Sequence, residues 1–254
     1  MNILKNILDF VIDEKYVDEH FSNKIKRLKG LIPYKFKTFY KKNFRKFNGL
    51  KKIDKKMLKY LNYENGYFIE MGAHDGVHNS NTLHLEKYKN WTGLLIEPSN
   101  YFKFLKKNRS KKNKFFNNGC SEFNNNGETI LLDNGDYSIC KDLVDKKIFE
   151  WHLRKQQIAK RKASHLKIKL RTLNSMLVES NAPKLIDFFS LDVEGMEIKV
   201  LKGIDFDLFN FRYLLVECIN KEKFNEISKF LAEKKYVHID NLTSWDYLFK
   251  FNKT

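Results

Sequence analysis

From Gly66 onward the apolar residues fall into short runs, and the stretches between those runs repeat their apolar positions at helical spacing. Such an alternation predicts strands joined by helices, because a parallel sheet is covered on both faces and its strands read as nearly continuous apolar runs. In chain order the predicted strands are Tyr67–Met71, Gly93–Glu97, Lys114–Asn118, Ile186–Leu191 and Tyr213–Glu217. Each ends in or beside a polar residue, as strand ends do at the ligand-binding edge of an open α/β sheet. Two later runs, Tyr236–Asp240 and Tyr247–Phe251, are close enough in sequence to pair antiparallel. The expected architecture is therefore α/β and Rossmann-like: a mostly parallel seven-stranded sheet with a C-terminal antiparallel hairpin.

Two segments depart from this rhythm. Residues 1–64 hold seventeen Lys or Arg against seven Asp or Glu, with apolar residues at helical spacing, and read as a basic helical extension preceding a domain over 65–254. Within it, Lys35 to Lys59 interleaves basic side chains with Phe36, Phe39, Tyr40, Phe44 and Phe47. That pattern suits peripheral contact with an anionic membrane or a phosphate-rich partner; equally, the aromatics can pack on the main domain while the lysines stay in water. The second departure is an insert at about 133–170, flanked by possible strands at Glu128–Leu132 and His165–Arg171, with a basic helical stretch over Lys141–Lys162. It reads as a lid. Arg154, Lys155, Lys160, Arg161 and Lys162, beside Trp151 and His152, are candidates for holding an anionic part of a substrate, against the plainer reading of a solvated helix face.

The length of 254 residues fits one domain plus an appendage, and 22 Phe and 12 Tyr supply material for a core. A net charge of +17 raises polyanions as partners, although abundant Lys throughout the chain gives the same number without one. Cys120, Cys140 and Cys218 lack the paired spacing of a zinc site or a disulfide framework and are expected to be reduced. No stretch reaches the ~20 apolar residues of a membrane span, and Met1–Ile12 lacks a cleavage-type small-residue site, so a cytoplasmic location is expected.

Candidate chemistry sits at the strand ends. Tyr67–Met71 carries Glu70 and runs into Gly72-Ala73-His74-Asp75-Gly76, small residues that let a ligand approach the backbone. A dinucleotide site is the competitor, but the turn lacks the three-glycine phosphate fingerprint, and a carboxylate there suits a ligand bearing an ammonium and a sulfonium better. About 25 residues later Glu97-Pro98 ends the next strand, where an acid can accept hydrogen bonds from both ribose hydroxyls of a nucleoside.

The third segment is the most specific: Leu191-Asp192-Val193-Glu194-Gly195-Met196-Glu197, then Val200-Leu201-Lys202-Gly203. It resembles the hallmark of FkbM-family methyltransferases. Gly72 to Gly76 followed by Ser80-Asn81-Thr82, the Gly93 to Pro98 segment, Asn108-Arg109 and Arg171-Thr172-Leu173 are similar to the branch of that family with a Ser-Asn-Thr element. The resemblance covers about residues 66–251 and implies a class I methyltransferase fold with S-adenosylmethionine as cofactor. It implies cofactor contacts at Glu70, Gly72, Ala73, His74, Asp75, Gly76, Asn81, Thr82, Glu97, Pro98, Cys120, Ser121 and Asp192. Asn174, where the family often has Asp, and Asn118-Gly119-Cys120-Ser121, where small alanine-like residues are more usual, depart from the pattern.

Oxygen acceptors are implied as well: a hydroxyl on a glycan, a sugar nucleotide or a related small metabolite, with polysaccharide modification as the expected setting. Asp192, Glu194 and His74 are the candidates for holding that hydroxyl or taking its proton. Carboxylates at these positions also suit a hard cation, but no metal site is assigned. RNA or protein methylation and a catalytically inactive scaffold are the competing readings; no Asn-Pro-Pro-Tyr element or compact RNA-binding motif is present.

Overall fold

The computed structural model describes residues 32–123, 125, 127–133, 138–158 and 164–252. The first half of the basic extension, and Lys160, Arg161 and Lys162 of the insert, lie outside the described residues.

Seven strands form the main sheet: β1 (Tyr67–Met71), β2 (Thr92–Ile96), β3 (Lys114–Phe116), β8 (Leu185–Leu191), β9 (Asn210–Glu217), β10 (Tyr236–Asn241) and β11 (Asp246–Phe251). Their order is β10-β11-β9-β8-β1-β2-β3. β1 pairs in parallel with both β2 and β8, β8 with β9, and β2 with β3, while β11 runs antiparallel to β9 and β10. This is the expected parallel sheet with its terminal hairpin, and it is the class I methyltransferase strand order. One predicted strand is too long. Lys114–Asn118 ends at Phe116 because Asn117 turns its side-chain amide to the carbonyl of Glu97 (2.8 Å), after which Gly119–Cys120 (β4) joins another sheet.

Neighbouring residues on each strand serve opposite faces, as the pleat requires. Ile69, Leu94, Phe189 and Leu214 point into one core, closed by helices α6 (Leu173–Glu179), α7 (Glu197–Lys202) and α8 (Lys221–Glu233). Phe68, Leu95, Phe188 and Leu215 point into the other, beside α3 (Leu83–Lys89) and α4 (Phe102–Asn108). That second core also takes Ile53, Met57 and Leu61 from α2 (Ile53–Leu61). A boundary at residue 64 thus falls between a helix and a strand that share one hydrophobic cluster.

Upstream, α1 (Tyr34–Phe44) divides the aromatic residues of the extension. Tyr40 is buried, and Phe47 beyond the helix stacks on His84, whereas Phe36, Phe39 and Phe44 are exposed. The insert builds a second, four-stranded sheet in the order β4-β7-β5-β6, from β4, β5 (Glu128–Asp133), β6 (Ile139–Cys140) and β7 (Ser164–Arg171). Its helix, α5 (Lys146–Ile158), starts five residues later than Lys141, where a short 3-10 turn (Lys141–Leu143) intervenes. Among the described residues no helix is long and apolar enough to cross a membrane.

Candidate active site

All the parallel strands end on one edge of the sheet, and β1 lies where the chain's winding direction reverses, with β2 on one side and β8 on the other. Open α/β sheets bind ligands at this crevice. A cavity of about 1070 Å³, mouth included, opens there. Its floor is Gly72, Ala73 and His74 after β1, Glu97 and Pro98 after β2, and Asp192 and Glu194 after β8. Glu70, Asn81 and Cys120 complete the predicted residues that line it. Gly72 has φ of 80°, and a Cβ there would meet the carbonyl oxygen of Asp192 at 2.1 Å, so only glycine lets the two strand ends meet. His74 and Glu194, with φ of 49° and 56°, adopt left-handed backbone that costs a residue with a Cβ about 1–2 kcal/mol. Both strained residues face the cavity.

The acids differ in what they hold. Glu97 accepts the backbone N–H of His74 (2.7 Å) and of Ser99 (2.8 Å), fixing the turns after β1 and β2 around one carboxylate. Glu70 lines the cavity, yet its oxygens are engaged by protein. Oε1 accepts the Asn81 N–H (2.6 Å), and Oε2 accepts Thr82 Oγ1 (2.6 Å), Ser80 Oγ (3.0 Å) and Arg109 Nη1 (2.9 Å). Arg109 is itself buried and also bonds Glu86 at 2.8 Å. Glu70 therefore organises the Ser80-Asn81-Thr82 segment while it lines the cavity. Asn81 is left with its Nδ2 on Ser190 Oγ (3.0 Å) and a buried Oδ1 that has no hydrogen-bond partner.

Four predicted cofactor residues lie outside the cavity lining: Asp75, Gly76, Thr82 and Ser121. Asp75 is fully buried. Its Oδ1 accepts the N–H groups of Val77 (2.9 Å) and His78 (2.8 Å), and its Oδ2 accepts Tyr34 Oη (2.6 Å), Thr38 Oγ1 (3.2 Å) and His78 Nδ1 (2.7 Å). Burial alone would raise its pKa, but the bonds from His74 and His78 hold the carboxyl well below the usual range. Burial in turn lowers the pKa of His78, so we read the pair as an ionised Asp75 accepting from a neutral imidazole. Gly76 packs on Arg109 and Leu105, Thr82 serves Glu70, and Ser121 is buried with its Oγ accepting from Asn125 (3.2 Å).

Beyond Asp192, three carboxylates converge: one oxygen each from Asp192, Glu194 and Glu217 lies within 4.8 Å of the others. Asp192 reaches solvent through the cavity mouth but has protein on its other sides. Burial, with Asp246, Glu97 and Glu70 nearby, lifts its pKa to about 6 despite a hydrogen bond with Glu217. Glu217 takes the opposite role in that bond: the charge of Asp192 and burial push it up to about 12, so it carries the proton at neutral pH. In the sequence Glu217 is legible only as the polar end of the strand Tyr213–Glu217; its partnership with Asp192 needs β8 and β9 side by side. His152 of α5 is fully buried and held neutral, its pKa lowered to about 4 by burial, with Nε2 3.4 Å from Glu194 Oε2.

Other lining residues escaped sequence reasoning. Ser190 lies near the end of β8, two residues before Asp192, and strand alternation carries both to the same side. His78 follows the glycine turn, and Leu131, Cys140 and Ile168 come from the insert's sheet, whose alternation of burial was readable but whose target was not.

No curated protein matches the chain in sequence. Among solved structures, the methyltransferase FkbM from Methylobacillus flagellatus KT is 14% identical, with a TM-score of 0.46, covering 98% of this chain and 60% of its own. The N-terminal domain of human METTL16 in complex with SAH is 11% identical, with a TM-score of 0.40, covering 77% of this chain and 65% of that domain. A methyltransferase from Pyrococcus furiosus is 15% identical, with a TM-score of 0.38 and coverage of 77% and 78%. This chain thus spans about three-fifths of the length of the Methylobacillus protein. The methyltransferase FkbM domain model matches residues 70–238, well over half of the sequence and the whole span from Glu70 to the closing hairpin. The chain belongs to the FkbM methyltransferase domain family.

Proposed function

We propose that this methyltransferase transfers a methyl group from S-adenosylmethionine to a hydroxyl of a glycan, a sugar nucleotide or a related small metabolite. The observation that carries this reading is the character of the cavity: Glu97, Asp192, Glu194 and the partnerless Oδ1 of Asn81 are all acceptors, in a chain with net charge +17. These acceptors suit a ligand bearing an ammonium and a sulfonium. The cofactor supplies a methyl carbon on a sulfonium; an acceptor oxygen bonds to that carbon as the C–S pair withdraws to sulfur, leaving a neutral thioether.

The protein's contribution is then alignment and one proton acceptor. Asp192 is ionised above pH ~6 and faces the cavity, so its carboxylate holds the acceptor hydroxyl and takes its proton. Glu217 keeps its own proton and steadies Asp192 through their shared hydrogen bond. Two tryptophans adjoin the neighbours of these acids, Trp151 and Trp245, with ring centroids 6.2 Å apart. Trp151 packs edge-on against His152, and the carbonyl of Trp245 accepts the N–H of Cys218, next to Glu217. Trp245 is exposed, and an exposed aromatic face suits the C–H surface of a sugar ring.

Calorimetric titration with S-adenosylhomocysteine, paired with a methyl-transfer assay on glycans and sugar nucleotides read by mass spectrometry, tests the assignment. Glu97→Ala should weaken product binding about 10- to 100-fold, the loss of one charge-assisted contact. Asp192→Asn should leave binding within about threefold and lower turnover by about 10²-fold or more. Interchangeable effects of the two changes would contradict these roles, and a folded protein that does not bind the product would end the cofactor reading.

A further inference from the structure

The carboxylates beyond Asp192 form a geometry that the transfer of a methyl group does not by itself require. Asp192, Glu194 and Glu217 come from the ends of β8 and β9, and one oxygen from each already lies within 4.8 Å of the other two. Three acids in that space repel one another unless a proton or a cation sits among them. Two oxygens on opposite sides of a Mn²⁺ or Mg²⁺ ion stand about 4.2 Å apart, given bonds of about 2.1 Å. Small side-chain rotations close the difference. A second observation comes from the insert: His152 is fully buried, neither ring nitrogen has a hydrogen-bond partner, and Nε2 lies 3.4 Å from Glu194 Oε2 without making a hydrogen bond to it. A buried imidazole without a hydrogen bond costs free energy unless something uses its nitrogen.

We propose that Asp192, Glu194 and Glu217, with His152 as nitrogen donor, form a binding site for one divalent cation of the Mn²⁺ or Mg²⁺ type. Three hard oxygens and one imidazole suit these ions and suit Ca²⁺, which prefers six to eight oxygens, poorly. The cation replaces any proton shared among the three acids, which leaves to bulk water. Each carboxylate keeps a second oxygen, so Asp192 still faces the cavity with a free acceptor. An acceptor hydroxyl on the cation becomes easier to deprotonate. That role in activating the acceptor rests on the O-methylation reading; the binding of the cation does not.

The test uses the full chain and Mn²⁺, with free Mn²⁺ followed by electron paramagnetic resonance in the presence and absence of S-adenosylhomocysteine. One Mn²⁺ per chain is expected. Glu217→Gln, which matches the shape of the protonated acid, and Glu194→Gln should each weaken Mn²⁺ at least about tenfold without unfolding the protein. His152→Gln serves as a second, less conservative arm, with thermal unfolding recorded to show that it folds. Absence of Mn²⁺ binding at millimolar concentration in protein that binds S-adenosylhomocysteine overturns the cation site and leaves the methyl-transfer reading intact. Mn²⁺ binding that survives both glutamine substitutions overturns it as well. Mn²⁺ bound by protein that ignores S-adenosylhomocysteine would instead sink the cofactor reading alone.

Discussion

At the scale of single residues, a strand-end carboxylate is easy to find and hard to interpret. Glu70, Glu97 and Asp192 are all legible as acids at the ends of apolar runs. What each one holds is a long-range fact: Glu70 is met by Arg109, 39 residues later, which no local pattern announces. Glu197 makes the same point from the other side, accepting the N–H groups of Gly195 (3.0 Å) and Val193 (3.2 Å) and so bracing the turn that presents Glu194. Arg109 is the residue whose removal should be felt most. Its guanidinium is buried between Glu70 and Glu86, and Arg109→Met leaves two acids without their cation. We expect a loss of about 3–5 kcal/mol in urea unfolding, the cost of breaking a buried pair from one side. A loss below about 1 kcal/mol would show that Ser80, Thr82 and Asn113 alone satisfy those carboxylates.

Among the elements, the strands were the most legible, because period and length agree for short apolar runs between turns. The helices ahead of β1 were legible as helices, and packing of their aromatics on the main domain was one of two open readings. Ile53, Met57 and Leu61 are the residues that make the contact, and they lie at the spacing that buries one face. The docking of α1 is a different matter, since it rests on polar contacts. Tyr34 and Thr38 reach Asp75 inside the turn after β1, and Tyr34 also stacks on His78 (4.9 Å). Tyr34→Phe keeps the ring and removes the hydroxyl that bonds an ionised carboxylate, worth roughly 1.5–3 kcal/mol. Hydrogen exchange across residues 34–44 should therefore quicken at least about tenfold, with slower change in α8 on the far side of the sheet. Unaltered exchange in α1 would mean that the ring stacking alone holds the helix.

For the whole molecule, the strands and the closing hairpin followed from the apolar runs, but the spatial order of the strands and the position of the insert over the cavity did not, since β5 and β7 pair with each other and carry no mark of their destination. The shared core of α2 and the sheet has a direct consequence for truncation. A chain starting at residue 65 loses three fully buried side chains, about 1.5–3 kcal/mol each, which is comparable to the ~5–15 kcal/mol that holds a domain together. Residues 65–254 should aggregate or melt far below residues 32–254 in a scanning calorimeter; a single cooperative transition within a few degrees of the longer chain would contradict this. The central pairing of β1 bears on how the protein is made. One edge of β1 finds β2 about 25 residues on, but the other waits for β8, about 120 residues on, since Phe68 lies opposite Phe188. At a ribosome adding ~5–20 residues per second, that edge stays open for on the order of 6–24 seconds. The nascent chain is therefore most adhesive midway through translation, and chaperone demand should peak there rather than after release.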